Sequence, residues 1–235
     1  MYEQLLIKEK ILENPRIISV TGSSLLPCSA NWQVAMDWPG NQTGELLSIR
    51  YIMADYDFIE TMGMELKEGR SFSRAYPSDD SIAYVVNETA VRAMGMKNPV
   101  GKTIRFVHAD FPEELRVGKI IGVVKDFHSG TYHQEIPALV IRMYRPWYNY
   151  LILKIDPVDI HSTIRYLDDL VEQLAPGYPF VYSFFEDSWS RLHQSEQQMN
   201  RLIRIFALLA LVISTLGMIG LSSYSALRRT KEIGI

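Results

Sequence analysis

The stretch IFALLALVISTLGMIGLSSYSAL, residues 205 to 227, decides how this chain is organised, because it contains 23 residues without a single charge. About 20 apolar residues in a helix suffice to cross the hydrocarbon layer of a bilayer. The alternative is a buried helix in a large soluble core, but a body of this size rarely encloses a helix that is apolar on every face. The stretch therefore predicts a transmembrane helix that follows a soluble body.

The residues that flank this span indicate its orientation. Arg228, Arg229, Lys231 and Glu232 follow it directly, and dense Lys and Arg at a helix exit favour the cytoplasmic side. Two arginines at the entrance, at positions 201 and 204, weaken this signal. A cytoplasmic exit predicts that residues 1 to about 200 are extracytoplasmic, and that a further span precedes Met1.

One face of the predicted span carries small side chains. Ala207, Ala210, Ser214 and Gly217 recur at spacings of three and four residues, which places them on one side of a helix. Small residues let a second membrane helix approach closely. The pattern predicts helix packing in the membrane, with chance as the alternative because small residues are common there.

Composition excludes several classes of partner and site. The net charge is -3, with 24 Lys and Arg against 27 Asp and Glu, and the sequence has no basic run that could neutralise a phosphate backbone, so nucleic acid is not expected as a partner. The only cysteine, Cys28, excludes an internal disulfide and a multi-thiolate metal site. Neither a cofactor nor a metal is expected.

The body is predicted to be α+β, because helices and strands alternate irregularly along it. The predicted helices span residues 2–13, 55–62, 87–94 and 158–174, and a polar helix begins at 187. The predicted strands span residues 17–20, 32–38, 46–53, 82–86, 102–107, 117–124, 138–143, 151–155 and 180–185. Asn87 is expected to cap its helix, and Gly95 to end it in a left-handed conformation.

The sequence AMGMKNPVGKTI, residues 93 to 104, ends in the Gly-Lys-Thr of a phosphate-binding loop. That loop requires a Gly, four residues, and then Gly-Lys-Ser/Thr, between a strand and a helix. Here Met96 occupies the position of the first Gly, Pro99 lacks an amide donor, and the order is helix, turn, strand. We therefore interpret the stretch as a turn at Asn98 and Pro99 that leads into a strand.

Two groups of His and Asp are candidate metal or catalytic residues. The first is His108 with Asp110, and the second is Asp126 with His128 and His133. Neither has the spacing of a known metal site, and such residues at strand ends are usually solvated. An aromatic cluster at Trp147, Tyr148 and Tyr150 is either an interaction surface or a hydrophobic junction between subdomains, and we favour the junction.

Three motifs, in this order, resemble the extracytoplasmic core domain of MacB/FtsX-type ABC transporter permeases. They are GRSFS, VVNETAVRAMGMKNPVGKTI and IIGVVKDFHSGTYHQEIPALVI, and the closing LIRIFALLALVISTLGMIGLSSYSALRRTKEIGI resembles the membrane helix that follows that domain in the same family. The motif residues carried over as structural are Gly69, Arg70, Asn87, Glu88, Gly95, Asn98, Pro99, Gly101, Lys102, Gly122, Val123, Asp126, Phe127 and His128. Residues 1–63 match only loosely.

The resemblance implies a division of the chain. A porter-like, membrane-proximal subdomain would consist of residues 1–63 with 146–186, and a second subdomain, residues 64–145, would be inserted in it. Residues 187–204 would form a helical stalk, 205–227 the transmembrane helix, and 228–235 the start of a cytoplasmic segment.

The resemblance also implies a noncatalytic role in the inner (plasma) membrane. ATP would be hydrolysed by a separate ABC ATPase subunit or domain, and this chain would pass the resulting motion to its outer domain as part of a permease dimer, for export, lipoprotein handling or signalling. Two alternatives remain: the sensing ectodomain of a single-pass receptor, and a membrane-tethered enzyme that uses residues 126 to 133.

Overall fold

The computed structural model of the protein describes residues 2–26, 32–41, 44–107, 116–127, 136–185, 203–222 and 224. The chain divides into a unit of residues 1–182 and a unit of residues 183–235. In the first unit the described helices are α1 Tyr2–Leu12, α2 Phe58–Thr61, α3 Asp79–Ile82, α4 Glu88–Ala93 and α5 Ile160–Leu174. Its strands are β1 Ile17–Ser23, β2 Gln33–Asp37, β3 Leu47–Met53, β4 Leu66–Gly69, β5 Ala83–Asn87, β6 Thr103–Phe106, β7 Val117–Val124, β8 Leu139–Arg142 and β9 Tyr150–Ile155. The second unit contains α6, Ile203–Ser222.

The larger sheet closes into a ring. Its strand order is β4-β7-β5-β8-β3-β2-β6, and β6 also pairs with β7, so that six strands form a closed circuit. On β7, Lys119 pairs with β6 on one edge and with β5 on the other. The edge of β7 that pairs with β6 continues past β6 and pairs there with β4, where Gly69 lies opposite Gly122. Closure removes most of the exposed strand edges of this sheet.

Two apolar clusters lie on the two faces of this sheet. Successive residues of a strand point to opposite faces, so Tyr51 and Met53 of β3 join one cluster and Ile52 joins the other. The first cluster takes residues from all six strands of the ring and therefore fills its interior. There the rings of Tyr51 and Tyr84 each meet Phe106 edge to face at 5.1 Å. The second cluster packs outside the ring against Phe58 and Ile59 of α2.

The smaller layer consists of β1 paired antiparallel with β9, covered by α1 and α5. Ile11 of α1, Ile17 and Val20 of β1 and Leu170 of α5 form its core. α5 has the apolar stripe predicted from the sequence, and the side chain of Asp159 accepts a hydrogen bond from the amide of Ser162 to cap it. This layer positions α1 against the end of β3.

Most predicted elements are confirmed, one predicted strand does not form, and two short elements of the structure were not predicted. The strand predicted over residues 180–185 does not form, because Val181 and its neighbours are exposed and no described strand pairs with them. β4 and α3 were not predicted, since both are short and lie in a polar, turn-rich region. The predicted helix from residue 187 to 202 lies outside the described residues.

Strand pairing also differs from the division expected at residues 63 and 64. β2 and β3 precede that boundary, yet β3 pairs in parallel with β8 and β2 pairs with β6. Both strands therefore belong to the ring rather than to the β1–β9 layer. Sheet membership is set by hydrogen bonds between segments that are distant in sequence, and a boundary drawn along the chain does not reveal these bonds.

Candidate functional site

A buried network of charges joins α1 to the end of β3. Lys8 lies on the inward face of α1, three residues before the core residue Ile11, and its ammonium group donates to the carboxylates of Asp55 and Asp57. Asp55 lies two residues after the end of β3 and also accepts hydrogen bonds from the Thr21 hydroxyl and the Gly22 amide of β1. The side chains of Lys8 and Asp55 are each only 11% exposed. One carboxylate thus holds α1, β1 and the end of β3 together.

The network continues to the surface through Asp57 and Arg74. Arg74 donates two hydrogen bonds to the Asp57 carboxylate, at 2.9 and 2.7 Å, in the bidentate geometry that is strongest for this pair. Burial alone would raise the pKa of Asp57, but the hydrogen bonds from Arg74 and Lys8 outweigh it, so the pKa lies below its ordinary value. The same contact raises the pKa of Arg74. Asp57 and Arg74 are therefore both charged at neutral pH.

A cavity of about 250 Å³ lies beside the network. Its walls come from α1, β1, the segment after β3, and the chain from the turn at Arg145 into β9. Its lining residues are Ile7, Lys8, Gly22, Asp55, Tyr56, Arg74, Arg145, Tyr148, Asn149, Tyr150 and Leu151. Apolar and aromatic walls with a few convergent charges are typical of small-molecule sites.

Tyr148 forms one wall of the cavity and is fixed at both ends. Its hydroxyl donates to the Ala54 carbonyl at 2.7 Å, and its ring lies against Gly22, where a Cβ atom would approach Cδ2 to 2.7 Å. Burial raises the pKa of Tyr148 well above its ordinary value. Gly22 is therefore required for this close packing, and Tyr148 remains neutral.

Tyr56 and Arg145 of the cavity lining form a second polar group with Asp80. The Tyr56 hydroxyl donates to Asp80, and the Arg145 guanidinium lies 3.5 Å from the same carboxylate. Arg74 and Arg145 both lie over the Tyr56 ring, with 4.9 and 5.9 Å from each Cζ to the ring centroid. Burial and the Asp80 hydrogen bond raise the pKa of Tyr56 to about 12.

The carried-over motif residues that the structure describes lie around the ring, and none of them lines this cavity. Gly69 has φ +73°, and a Cβ on Gly122 would lie 2.2 Å from the Arg70 carbonyl oxygen. The Arg70 guanidinium makes a bidentate pair with the buried Asp79, at 2.6 and 2.8 Å. The GRSFS and IIGVV motifs therefore meet at the β4–β7 pair, where backbone approaches backbone.

Asn87 and Asp126 tie α4 to the sheet. The Asn87 side chain accepts from the amides of Ala90 and Leu139 and donates to the Pro137 carbonyl, each at 2.9 Å. Asp126 accepts from the amide and hydroxyl of Thr89 at 2.9 Å, and from Arg92 at 2.7 Å. Glu88 accepts from the Asp126 amide and pairs with Lys67. Val123 is buried in the ring interior, and Phe127 packs outside the ring.

The Gly-Lys-Thr sequence forms a turn between α4 and β6. Gly95 has φ +62° and ends α4 in the left-handed conformation predicted for it. The Lys102 amide donates to the Pro99 carbonyl at 3.0 Å, which closes the turn that follows Asn98. The Gly101 amide donates to Ile120 of β7 at 2.7 Å. The Gly101 amide is bonded to β7 and the Lys102 amide is bonded within the turn, so neither is arranged to cradle a phosphate.

Several predicted candidates lie outside the described residues. They are Cys28, His108, Asp110, His128, His133, Arg228, Arg229, Lys231 and Glu232. Within the described part of the chain, no three His, Cys, Asp or Glu side chains come close enough together to hold a metal ion.

α6 is the described helix that is long and apolar enough to cross a membrane. Its side chains are exposed, which distinguishes it from the core helix of a soluble protein. Ala207, Ala210, Ser214 and Gly217 all lie within it. A Cβ on Gly217 would have no neighbour within 4 Å, so this face has room for another helix.

Sequence analysis did not select the network residues Lys8, Asp55, Asp57 and Arg74. A signal for one of them exists, because Lys8 stands three residues from Ile11 on the inward stripe of α1, where an apolar residue is expected. A lysine there requires a buried carboxylate as its partner. Which carboxylate this is depends on the fold alone.

Known proteins resemble this chain in sequence and in fold. The "Macrolide export ATP-binding/permease protein MacB" of Aggregatibacter actinomycetemcomitans is 25% identical over 193 residues, which cover 76% of this chain and 28% of that protein. The chain thus spans less than a third of the length of the curated relatives that it matches. No protein-family model matches the chain.

Two solved structures share the fold. The periplasmic region of MacB from Actinobacillus actinomycetemcomitans has a TM-score of 0.51 and 19% identity over 72% of this chain and 73% of that one. The extracellular domain of the noncanonic ABC-type transporter YknZ from Gram-positive bacteria has a TM-score of 0.50 and 14% identity, over 71% of this chain and 82% of that one. The resemblance to MacB/FtsX-type permeases is confirmed, and the chain has the mixed α/β fold of a MacB-like periplasmic domain, with one candidate transmembrane helix among the residues that the structure describes.

Proposed function

We propose that this chain is the outer domain and following membrane helix of an ABC transporter permease, and that it transmits motion driven by ATP hydrolysis elsewhere. The observation that carries the proposal is a MacB-type periplasmic fold in a chain that also has a 20-residue apolar helix with exposed side chains. ATP would bind to another domain of the native protein or to a partner subunit. The chain itself would have no enzymatic role.

The charge network gives this proposal a mechanical element. Force that arrives at one end of a helix is passed on only if the helix is held at the other end. Lys8 fixes α1 to Asp55, and Asp55 is bonded in turn to the backbone of β1, so displacement of α1 would move β1 and the end of β3 with it. In this view Lys8 and Asp55 are the contact through which α1 drives the outer domain.

We also propose a role for each segment of the chain. Residues 1–63 with 146–186 would form the membrane-proximal, porter-like subdomain and 64–145 the inserted one, with β2 and β3 paired into the sheet of the latter. Residues 187–204 would form the stalk, and residues 228–235 would start the cytoplasmic segment. The small-residue face of α6 would pack against another span.

We propose an inner-membrane location, with residues 1 to about 200 periplasmic. The partners would be an ABC ATPase, a second permease copy and the lipid bilayer. Export, lipoprotein handling and signalling are all compatible with a chain that moves an outer domain. The alternative of a single-pass sensing receptor is not favoured, because the curated relatives are named ATP-binding/permease proteins.

Purification of the native protein that contains this chain tests the proposal. The isolated membrane complex should contain an ATP-binding domain or subunit and hydrolyse ATP. A complex without any ATP-binding component would contradict the proposal, and a signalling domain downstream of residue 235 would favour the receptor.

A distance measurement tests the coupling itself. With Cys28 replaced by Ser, a spin label at the exposed position 172 of α5 reports the separation between the outer domains of two copies. We expect this separation to change when ATP and vanadate are added. Lys8→Met should reduce that change and Lys10→Met, on the exposed face of the same helix, should preserve it. An unaltered response in Lys8→Met would exclude the network as the coupling contact.

A further inference from the structure

The cavity beside the charge network has an unequal distribution of charge. Four charged side chains line it, and three of them, Lys8, Arg74 and Arg145, are cationic. The one lining carboxylate, Asp55, is directed into the network, where it accepts from Lys8, Thr21 and the backbone amides of Gly22 and Asp57. The carboxylates that balance Arg74 and Arg145, at positions 57 and 80, are not part of the lining. Among the side chains that line the cavity, cations therefore outnumber carboxylates.

Arg145 is the cation with the most capacity to bind a ligand. Lys8 is bonded to two carboxylates and Arg74 is held bidentate by Asp57. Within the described part of the chain Arg145 has one ion pair, at a longer distance of 3.5 Å, and its partner Asp80 also accepts a hydrogen bond from Tyr56. A guanidinium has five N–H donors, so several remain for an incoming anion. Its planar, forked donors match a carboxylate or a phosphate.

The opposite walls of the cavity are apolar. Ile7 of α1 and Leu151 of β9 contribute aliphatic surface, and the rings of Tyr56, Tyr148 and Tyr150 contribute aromatic surface. Tyr150 and Leu151 are 45% and 47% exposed, so a ligand would cover apolar surface that water now contacts. Burial of such surface contributes to binding in proportion to its area.

The volume limits the size of the ligand. Drug-sized molecules occupy pockets of about 300 to 1,000 Å³. At about 250 Å³ this cavity is smaller, so it excludes a phospholipid with two acyl chains and accepts a molecule the size of a single substituted ring. We infer that the cavity is a binding site for a small amphiphilic anion, whose carboxylate or phosphate-type group pairs with Arg145 and whose apolar part lies between Ile7, Tyr148 and Leu151.

This inference goes beyond the proposed function and does not depend on it. A ligand in the cavity would contact α1 through Ile7 and the rest of the domain through Arg145 and Leu151, so it would bridge the two sides of the Lys8–Asp55 contact. Occupancy would therefore stabilise the docked position of α1.

Phenylphosphonate is a suitable probe, since it combines one ring with an anionic head. Binding to the full chain in phosphatidylcholine nanodiscs is measured by ligand-observed NMR, with empty nanodiscs as the blank. We expect a dissociation constant of about 0.1 to 1 mM, the range for a fragment of this size. Phenyltrimethylammonium, with the same ring and the opposite charge, and inorganic phosphate, with the charge but no ring, should each bind at least about tenfold more weakly.

Two variants locate the site. Arg145→Gln should weaken phenylphosphonate binding about tenfold, because a charged bidentate contact is lost. Leu151→Trp should block binding by filling the cavity without removing a charge. Arg165→Gln, on the exposed face of α5, is the matched control and should bind as the wild type does.

The inference is overturned by any of three results. They are the absence of saturable binding up to about 10 mM, equal binding of phenyltrimethylammonium, or unchanged affinity in both Arg145→Gln and Leu151→Trp. Unchanged thermal unfolding of the variants confirms that a loss of binding is not a loss of fold. Failure of this experiment leaves the ATPase partner unaffected, so the two proposals fail separately.

Discussion

Lys8 donates to Asp55 across 47 residues of sequence and fixes the first helix of the chain to the end of a central strand. Both side chains are almost completely buried, and the Asp55 carboxylate is also bonded to β1. Removing one member of a buried ion pair costs more than the pair contributes, because the other charge stays in a medium of low polarity. Replacing either Lys8 or Asp55 alone is therefore expected to lower the stability of the fold.

Lys8→Met should destabilise the chain by about 2 to 4 kcal/mol, since it retains most of the side-chain volume but leaves Asp55 without its cation. Thermal or urea unfolding of the full chain in nanodiscs measures the effect. Lys10→Met, on the exposed face of α1, serves as the control and should change stability by less than about 0.5 kcal/mol. Equal effects of the two changes would contradict the importance of the pair.

The stabilisation by Asp57 should be lost in acid. Because Arg74 and Lys8 lower the folded pKa of Asp57, the folded state favours the ionised carboxylate. Its contribution is complete above the unfolded pKa of about 3.9 and disappears as the pH falls through the lower, folded pKa. The difference in stability between the wild type and Asp57→Asn should therefore be constant above about pH 5 and shrink below about pH 4. A stability difference that grows in acid would mean that folding raises the pKa of Asp57 instead of lowering it.

Gly122→Ala should be strongly destabilising, because its Cβ would lie 2.2 Å from the Arg70 carbonyl oxygen. The backbone on either side of the β4–β7 pair cannot move without breaking the hydrogen bonds between these strands. We therefore expect the free energy of unfolding to fall by about 3 kcal/mol, or the variant not to fold. Gly63→Ala provides the comparison. Gly63 has φ +64° but open space around its Cα, so only backbone strain of about 1 kcal/mol is expected.

Asn87→Ala should cost about 2 to 4 kcal/mol, since it removes the cap of α4 and leaves buried groups at Leu139 and Pro137 without partners. Asn87→Asp keeps the acceptor and loses the donor to the Pro137 carbonyl. It should recover only part of the stability, because a carboxylate oxygen then faces that carbonyl. Unfolding midpoints of the three proteins decide the order, and full recovery by Asp would show that the Pro137 contact contributes nothing.

Lys102→Ala should leave ATP hydrolysis by the native complex unchanged, because the Gly101 amide is bonded to β7 and the Gly-Lys-Thr stretch is a turn. Lys102 itself is exposed, so the stability of the fold should change by less than about 0.5 kcal/mol. The measurement is the ATPase rate of the purified complex. A loss of ATPase activity as large as that expected from removing a phosphate-binding lysine would contradict the interpretation of this stretch as a turn.

The local pattern of the sequence was sufficient to predict the elements that form by local rules. Asn87 caps α4 and Gly95 ends it, because both effects act within one helical turn. β7 and α5 were recognised from apolar residues at the strand and helix periods. The absence of charge in residues 205–227 predicted a membrane helix, since transfer to lipid depends on composition more than on neighbours.

Tertiary structure alone decided the closed ring, the failure of residues 180–184 to form a strand, and the cavity beside Lys8. Each depends on contacts between distant segments: β3 lies beside β8, the stretch around Val181 has no described strand partner, and the lysine of α1 reaches Asp55. Hydrogen bonding between strands and the pairing of buried charges are set by proximity in space, which the order of residues does not specify. The amino-acid sequence by itself thus indicated most of the helical and extended segments and the one long, uncharged stretch, because these depend on local pattern and composition, and the fold determined which of their side chains meet.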